Sequence, residues 1–91
     1  GMSSVLKEQI TIADGRVEQS NFQNYQLLRM QDAPESIETE IFPSDHWPEG
    51  VGETATPMVA CAIANAFMEL TGKRLRHLPF TPERVLQALN D

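Results

Sequence analysis

The carboxylate with the most unusual setting in the sequence is Glu53, which follows Gly50-Val51-Gly52 and stands just before a long apolar segment. A carboxylate can accept a proton as a general base, and glycines on both sides of Val51 let another molecule approach the backbone closely. These residues therefore form a candidate ligand or catalytic site. A structural interpretation is also open, because a carboxylate just before a helix N-terminus gains about 0.3 to 1 kcal/mol from the helix dipole.

The other side chains that could do chemistry do not combine into a site. His46 and His77 are far apart in sequence, and neither has a second metal-type ligand at a productive spacing, so no metal site is predicted. Ser44, Asp45 and His46 are adjacent in sequence, so their side chains cannot take the linear arrangement through which a catalytic triad transfers a proton. Cys61 is the single cysteine, which excludes an internal disulfide, and its apolar neighbours predict a buried thiol.

The composition is that of a small globular protein, with 91 residues, 41% of them hydrophobic and 22% charged. Gly1 precedes a methionine and is interpreted as a remnant of tag removal, so a single domain is predicted over residues 2–91. The formal charge of −6 argues against nucleic acid as a partner. Because no membrane-length apolar run and no signal peptide is seen, we expect a soluble protein of either the bacterial cytoplasm or the periplasm.

Strand patterns occupy the first half of the chain. Residues 9–19 predict a β-hairpin, because two alternating runs flank Asp14-Gly15, a pair that tolerates the positive φ angles of a type I′ turn. The two-residue loop pairs Ile12 with Val17 and places them on a half-buried face. Residues 37–42 alternate between apolar and polar side chains and predict a third antiparallel strand.

Helix signals dominate the second half. A long helix is predicted over 57–71, with Thr56 as N-cap, a proline at its first position and Gly72 as its stop. A short strand centred on Leu75 and a C-terminal helix capped by Thr81 follow. These elements predict an α+β fold in which the hairpin and the third strand pack on one long apolar helix.

The long helix has too little polar surface to stand at the edge of a small protein. Between Met58 and Leu70 its only polar side chains are Asn65 and Glu69, so it lacks a solvated stripe of the usual width. We therefore expect the sheet and the C-terminal helix to leave part of its apolar surface exposed, and a second copy or another partner to bury that part.

Three runs of residues succeed one another in an order that resembles a known family: DGRVEQSNFQNYQLLRM (14–30), IETEIFPS (37–44) and GVGETATPMVACAIANAFMELTGKRLRHLPF (50–80). The succession resembles the C-terminal end of the large, molybdopterin-binding subunit of the molybdenum hydroxylases, in the branch of isoquinoline 1-oxidoreductase, aldehyde oxidase and xanthine dehydrogenase. It covers about residues 9–89, nearly the whole chain, and is more specific than any one motif.

The resemblance implies roles for the residues of the 50–54 loop. In that family the glutamate of the GVGE motif is the general base that activates a molybdenum-bound oxygen for attack on an electron-poor carbon, which assigns this role to Glu53. Gly50, Val51, Gly52 and Thr54 would then contact the molybdopterin. Many members have proline directly after the glutamate, whereas this sequence has Thr54, so the loop can present its carboxylate somewhat differently.

Family subunits are several times longer and hold molybdopterin largely through segments absent here, so the resemblance implies a C-terminal fragment of an oxidoreductase. The complete enzyme would hydroxylate an aldehyde or an N-heterocycle. The chain alone is expected to bind no cofactor and to be inactive, with the remainder of the subunit or a second copy as its partner. The alternative is a non-enzymatic interaction module that uses its apolar helix as a dimer or partner surface.

Overall fold

The computed structural model describes all 91 residues and contains three α-helices and one two-stranded antiparallel sheet. In chain order the elements are α1 (Met2–Leu6), β1 (Ile12–Ala13), β2 (Arg16–Val17), a 3-10 turn (Met30–Asp32), α2 (Met58–Thr71) and α3 (Pro82–Asn90). The predicted mixture of helix and strand is confirmed, while α1 is an element that the sequence pattern does not predict. None of the three helices combines the length and the apolar character needed to cross a membrane.

The hairpin forms with the predicted register, in which Ile12 pairs with Val17. Asp14 and Gly15 have φ angles of 54° and 74°, and a type I′ turn requires positive values at both positions. The sheet ends with these two strands, and Ile12 and Val17 remain 70% and 53% exposed. The predicted half-buried face, packed on the long helix, is therefore not formed.

The start of α2 lies slightly later than the sequence predicts. Pro57, with helical angles of −67° and −20°, occupies the N-cap position, and no side chain caps the helix. Thr56, the predicted cap, contributes its backbone carbonyl, which accepts a hydrogen bond from the Val59 N–H at 3.4 Å.

The end of α2 and the start of α3 follow their local signals. Gly72 takes the left-handed conformation with φ 74°, and its N–H donates to the Met68 carbonyl at 2.8 Å. The Thr81 hydroxyl accepts a hydrogen bond from the Arg84 N–H at 3.4 Å, as an N-cap does.

The core forms where α1 and the segment before α3 meet α2, and its buried apolar residues are Val5, Ala64, Leu75 and Phe80. The Phe80 N–H donates to the Val5 carbonyl at 2.6 Å, which ties the two ends of the chain together. The predicted short strand around Leu75 is not formed, because residues 73–76 have no strand partner. Leu75 is nevertheless an anchor of the core.

Residues 33–55, which we call the arm, are exposed at every position and contain no helix or strand. The predicted third strand over 37–42 is therefore wrong, and Ile37 and Ile41 are 77% and 90% exposed. Alternation makes a strand possible, but a strand also needs a neighbour to receive its backbone hydrogen bonds.

Cys61 is exposed as well, contrary to the predicted buried thiol, because no element covers its side of α2.

The arm and the bare faces of α2 give the chain an unusually large surface. A compact monomer of this mass exposes about 5,300 Å², whereas this chain exposes 8086 Å². Its radius of gyration is 16.6 Å, against about 12 Å for a compact domain of this length. The core therefore organises only part of the chain.

A polar cluster attaches the segment after the hairpin to α1. The Tyr25 hydroxyl donates to Glu8 Oε1 at 2.7 Å, the Leu28 N–H donates to Ser3 Oγ at 2.9 Å, and Lys7 Nζ lies 2.9 Å from Asp32 Oδ2. Hydrogen bonding by Ser3 and Tyr25 lowers the pKa of Glu8, while the bond to Glu8 raises the pKa of Tyr25. The ammonium of Lys7 lowers the pKa of Asp32.

Replacing Gly72 with Ala should destabilise the chain by about 1 to 2 kcal/mol, because a left-handed residue with a Cβ is strained. The added Cβ would meet no atom within 4 Å, so backbone strain is the only cause. Thermal unfolding measures the loss. Gly52→Ala is the matched control, since Gly52 lies outside the left-handed region and its Cβ would also be unopposed. Equal losses of stability in Gly72→Ala and Gly52→Ala would show that the left-handed conformation of Gly72 is not the cause.

Replacing Tyr25 with Phe should reduce stability at neutral pH and leave it unchanged in acid. Hydrogen bonding lowers the folded-state pKa of Glu8 below its ordinary 4.5. Its contribution is therefore present above that value and disappears as pH falls through the folded pKa. Urea unfolding across this range tests the sign. In a Glu8→Gln background the same change should show no acid dependence, and a persistent dependence there would assign the effect to another carboxylate.

Candidate functional site

Glu53 lies in a turn at residues 52–54, on the last part of the arm, and is exposed. Gly50, Val51, Gly52 and Thr54 are exposed around it, with Val51 at 78%. The structure thus keeps the predicted site residues together as one continuous surface loop. The Glu53 carboxylate forms no hydrogen bond and no ion pair within the chain, so it is accessible to a molecule from outside.

The structural interpretation of Glu53 requires it to stand at the helix start, and the structure does not place it there. The helix begins only at Met58, and its first turn contains no acidic residue. Because the dipole effect falls off within the first turn, Glu53 is too far along the chain to benefit from it as a first-turn residue does.

The two glycines are not required by the packing of this chain. A Cβ added to Gly50 or Gly52 would meet no atom within 4 Å, and neither residue has a positive φ in the left-handed region. No internal close approach or turn geometry therefore explains their presence.

The loop around Glu53 lies outside the two main clefts of the chain. An open cleft of about 430 Å³ is lined by residues from 73–77 and from α3, and a second of about 310 Å³ lies between Ile10 and Tyr25. Neither is lined by a residue of the 50–54 loop. The chain thus presents a potential base on an exposed loop that lies outside both of these clefts.

The remaining candidate groups stay apart. No three His, Cys, Asp or Glu side chains lie close enough together to hold a metal ion. His46 and His77 are both exposed, and Ser44 Oγ accepts a hydrogen bond from the backbone N–H of His46 at 3.2 Å instead of facing its imidazole. The neighbouring Ser, Asp and His therefore form no catalytic triad.

One feature that the sequence does not predict is a cluster of cations in the larger cleft. We call it the basic cleft, and its basic lining residues are Lys73, Arg74, Arg76, His77 and Arg84. The KRLR run is visible in the sequence, but only the packing of α3 brings Arg84 beside it.

Comparison with known proteins places the chain within much longer sequences. No family model and no solved structure matches it. It is 41% identical over 91 residues to a membrane-bound aldehyde dehydrogenase of Gluconacetobacter polyoxogenes, covering 100% of this chain and 12% of that protein. It is 38% identical over 82 residues to the beta subunit of isoquinoline 1-oxidoreductase of Brevundimonas diminuta, covering 90% of this chain and 10% of that one.

A nicotinate dehydrogenase subunit of Pseudomonas putida is 41% identical over 88 residues, which are 96% of this chain and 7% of that protein. The names of the relatives mention two different cofactors. The aldehyde dehydrogenase is named for pyrroloquinoline quinone, whereas a relative from Escherichia coli that is 31% identical over 98 aligned positions is named as the molybdenum-binding subunit of an aldehyde oxidoreductase. By sequence, the chain is homologous to one segment, about 10% of the total length, of a family of aldehyde, isoquinoline and nicotinate dehydrogenases or oxidoreductases.

Proposed function

We propose that this chain is the C-terminal segment of a molybdopterin-dependent hydroxylase subunit, and that Glu53 is the general base of the complete enzyme. The observation that carries the proposal is the similarity over the whole chain to a protein named as the molybdenum-binding subunit of an aldehyde oxidoreductase. The stretch that contains the GVGE motif lies within it. The substrate class would be an aldehyde or an N-heterocycle. A C–O bond would replace a C–H bond of the substrate, the two electrons of that C–H bond would pass to the cofactor, and Glu53 would accept the proton released by the attacking oxygen.

The local geometry supports this role for Glu53. Its carboxylate is exposed and has no partner within the chain, so it can accept a proton without first breaking an ion pair. Gly50 and Gly52 leave open space on the same loop, which suits close approach of a cofactor or substrate to the backbone. The arm would deliver this loop to a pocket built by the remainder of the subunit.

The residues of this chain do not enclose a cofactor by themselves. Gly50, Val51, Gly52 and Thr54 lie on an open surface, with no buried polar atom left without a partner to suggest a missing ligand. Molybdopterin, when held by the complete subunit, would supply the oxidising chemistry. The contribution of this chain is then limited to proton acceptance at the Glu53 carboxylate and to part of the pocket wall formed by its loop.

Molybdopterin is favoured over pyrroloquinoline quinone as the cofactor of the complete enzyme. The ordered succession of motifs resembles the molybdenum hydroxylases, and one relative of the whole chain is named for binding molybdenum. Metal analysis of the complete enzyme distinguishes the two, because stoichiometric molybdenum is expected only under the proposal.

Replacing Glu53 with Gln in the complete enzyme should lower turnover by about a hundredfold or more, because the amide keeps the shape but cannot accept the proton. Molybdenum content should be unchanged. Glu49→Gln is the matched control, since Glu49 is an exposed carboxylate on the same part of the arm and should be dispensable for turnover.

In the isolated chain, Glu53→Gln should change the free energy of unfolding by no more than about 0.5 kcal/mol, as expected for an exposed side chain without partners. Strong destabilisation together with normal turnover would instead assign Glu53 a structural role. Equal losses of turnover for Glu53→Gln and Glu49→Gln would point to a general effect of charge on the arm.

A second function, that of an interaction module, is favoured by a separate observation. Large apolar side chains are exposed on α2 and on the arm, including Leu70 at 85%, Phe42 at 80% and Trp47 at 90%. Large exposed apolar side chains in such number favour a contact with another surface. In the isolated chain, a second copy is the molecule that can bury these apolar side chains.

The isolated chain should therefore self-associate, and Leu70→Lys should shift it towards the monomer, because a charge at the contact opposes burial. Sedimentation velocity at several concentrations measures the change. Gln31→Lys adds a charge at an exposed polar position and is the matched control. A monomer at all concentrations would show that the apolar side of α2 is not a contact between copies.

A further inference from the structure

The basic cleft concentrates positive charge in an acidic chain. Of the seven Lys and Arg residues in the whole sequence, four line this one cleft, although the net charge is −6. Only one acidic residue, Asp91, is among the lining residues. Like charges gathered in this way repel one another unless an anion lies among them.

Hydrogen bonds hold three cations of the basic cleft in place, and the two arginines among them use neutral oxygens as acceptors. Arg74 Nη1 donates to Asn65 Oδ1 at 2.7 Å, while Lys73 Nζ donates at 2.6 Å to the main-chain oxygen of Asp91, which in this chain belongs to a carboxylate. Arg84 Nη1 donates to the carbonyls of Leu78 and Pro79, the latter at 3.1 Å.

The bonds of Arg74 and Arg84 fix the direction of these side chains without cancelling their charge. The ion pair between Lys7 and Asp32 lies outside the cleft. Arg76 has no hydrogen-bond partner within the chain, so all of its donors are free. The three arginines therefore keep their charge unneutralised and two of them are oriented, which is the condition that an anion site requires.

We propose that the basic cleft binds a compact anion that carries a diphosphate group. The planar guanidinium groups of Arg74, Arg76 and Arg84 match phosphate oxygens in paired hydrogen bonds. The cleft volume of about 430 Å³ admits such a group, and the lining contains no Phe, Tyr or Trp on which a nucleobase could stack. The diphosphate is therefore the recognised part, whether it is free or part of a nucleotide.

This site is separate from the 50–54 loop, which contributes no residue to the cleft lining. The inference does not depend on the role proposed for Glu53. Either one can fail without the other.

Isothermal titration of the full chain with inorganic pyrophosphate at low ionic strength tests the proposal. We expect saturable binding of one pyrophosphate per chain that weakens as salt is added. Arg76→Gln should weaken it about tenfold or more, the scale of a lost hydrogen bond to a charged group. The fold should be unaffected, because Arg76 supports no other residue. Arg16→Gln, which removes an exposed cation of the hairpin, should leave the affinity unchanged.

Further ligands separate the possible sources of the diphosphate. Equal affinity for ADP and pyrophosphate would support recognition of the diphosphate alone, and tighter binding of ADP would identify a nucleotide as its source. Three results would overturn the proposal: no saturation by pyrophosphate, equal losses in Arg76→Gln and Arg16→Gln, or tighter binding of a polyglutamate peptide than of pyrophosphate. The last would identify a docking surface for acidic protein segments.

Discussion

The fold depends on the contact between the two ends of the chain across α2. Val5 and Phe80 are joined by a backbone hydrogen bond of 2.6 Å and pack with Ala64 and Leu75. These four residues are the buried apolar core of a chain of 91 residues, so a change at any one of them affects a large share of the available hydrophobic stabilisation. The hairpin, the arm and the outer faces of α2 lie outside it.

This division separates the parts that fold the chain from the parts that could act on another molecule. The 50–54 loop and the basic cleft both lie at the surface, as functional segments generally do. The loop is reached through the arm, whereas the cleft is built directly on the core, because Leu75 lies between Arg74 and Arg76. The burial of Leu75 therefore fixes the backbone positions of these two arginines. The 50–54 loop contains no buried residue that could fix it in the same way.

The features that the sequence predicts correctly are those encoded by adjacent residues. Asp14-Gly15 specifies its turn, Gly72 specifies a helix end, and Thr81 caps the helix that follows. Most of the incorrect predictions require a partner that lies far away in the sequence, and the local exception is the N-cap of α2, which is Pro57 and not Thr56. The strand over 37–42 has no neighbour, and Cys61 has no cover.

The candidate site divides in the same way. The contiguous GVGE motif draws attention to Glu53, but its proton-accepting role comes from resemblance and stays a prediction. The basic cleft is only half visible in the sequence, because Arg84 joins the KRLR run through the packing of α3. The sequence pattern does not reveal α1, because five residues carry too little periodicity to identify a helix.

The exposed arm also has a consequence for the entropy of folding. It belongs to the loop that closes when Val5 meets Ala64, and the cost of such closure grows only with the logarithm of loop length. Halving the loop would change that cost by only about 0.6 kcal/mol. The length of the arm therefore has little effect on the free energy of forming the core. Its exposed apolar residues add no packing within the chain. Its sequence is therefore not constrained by packing within this chain.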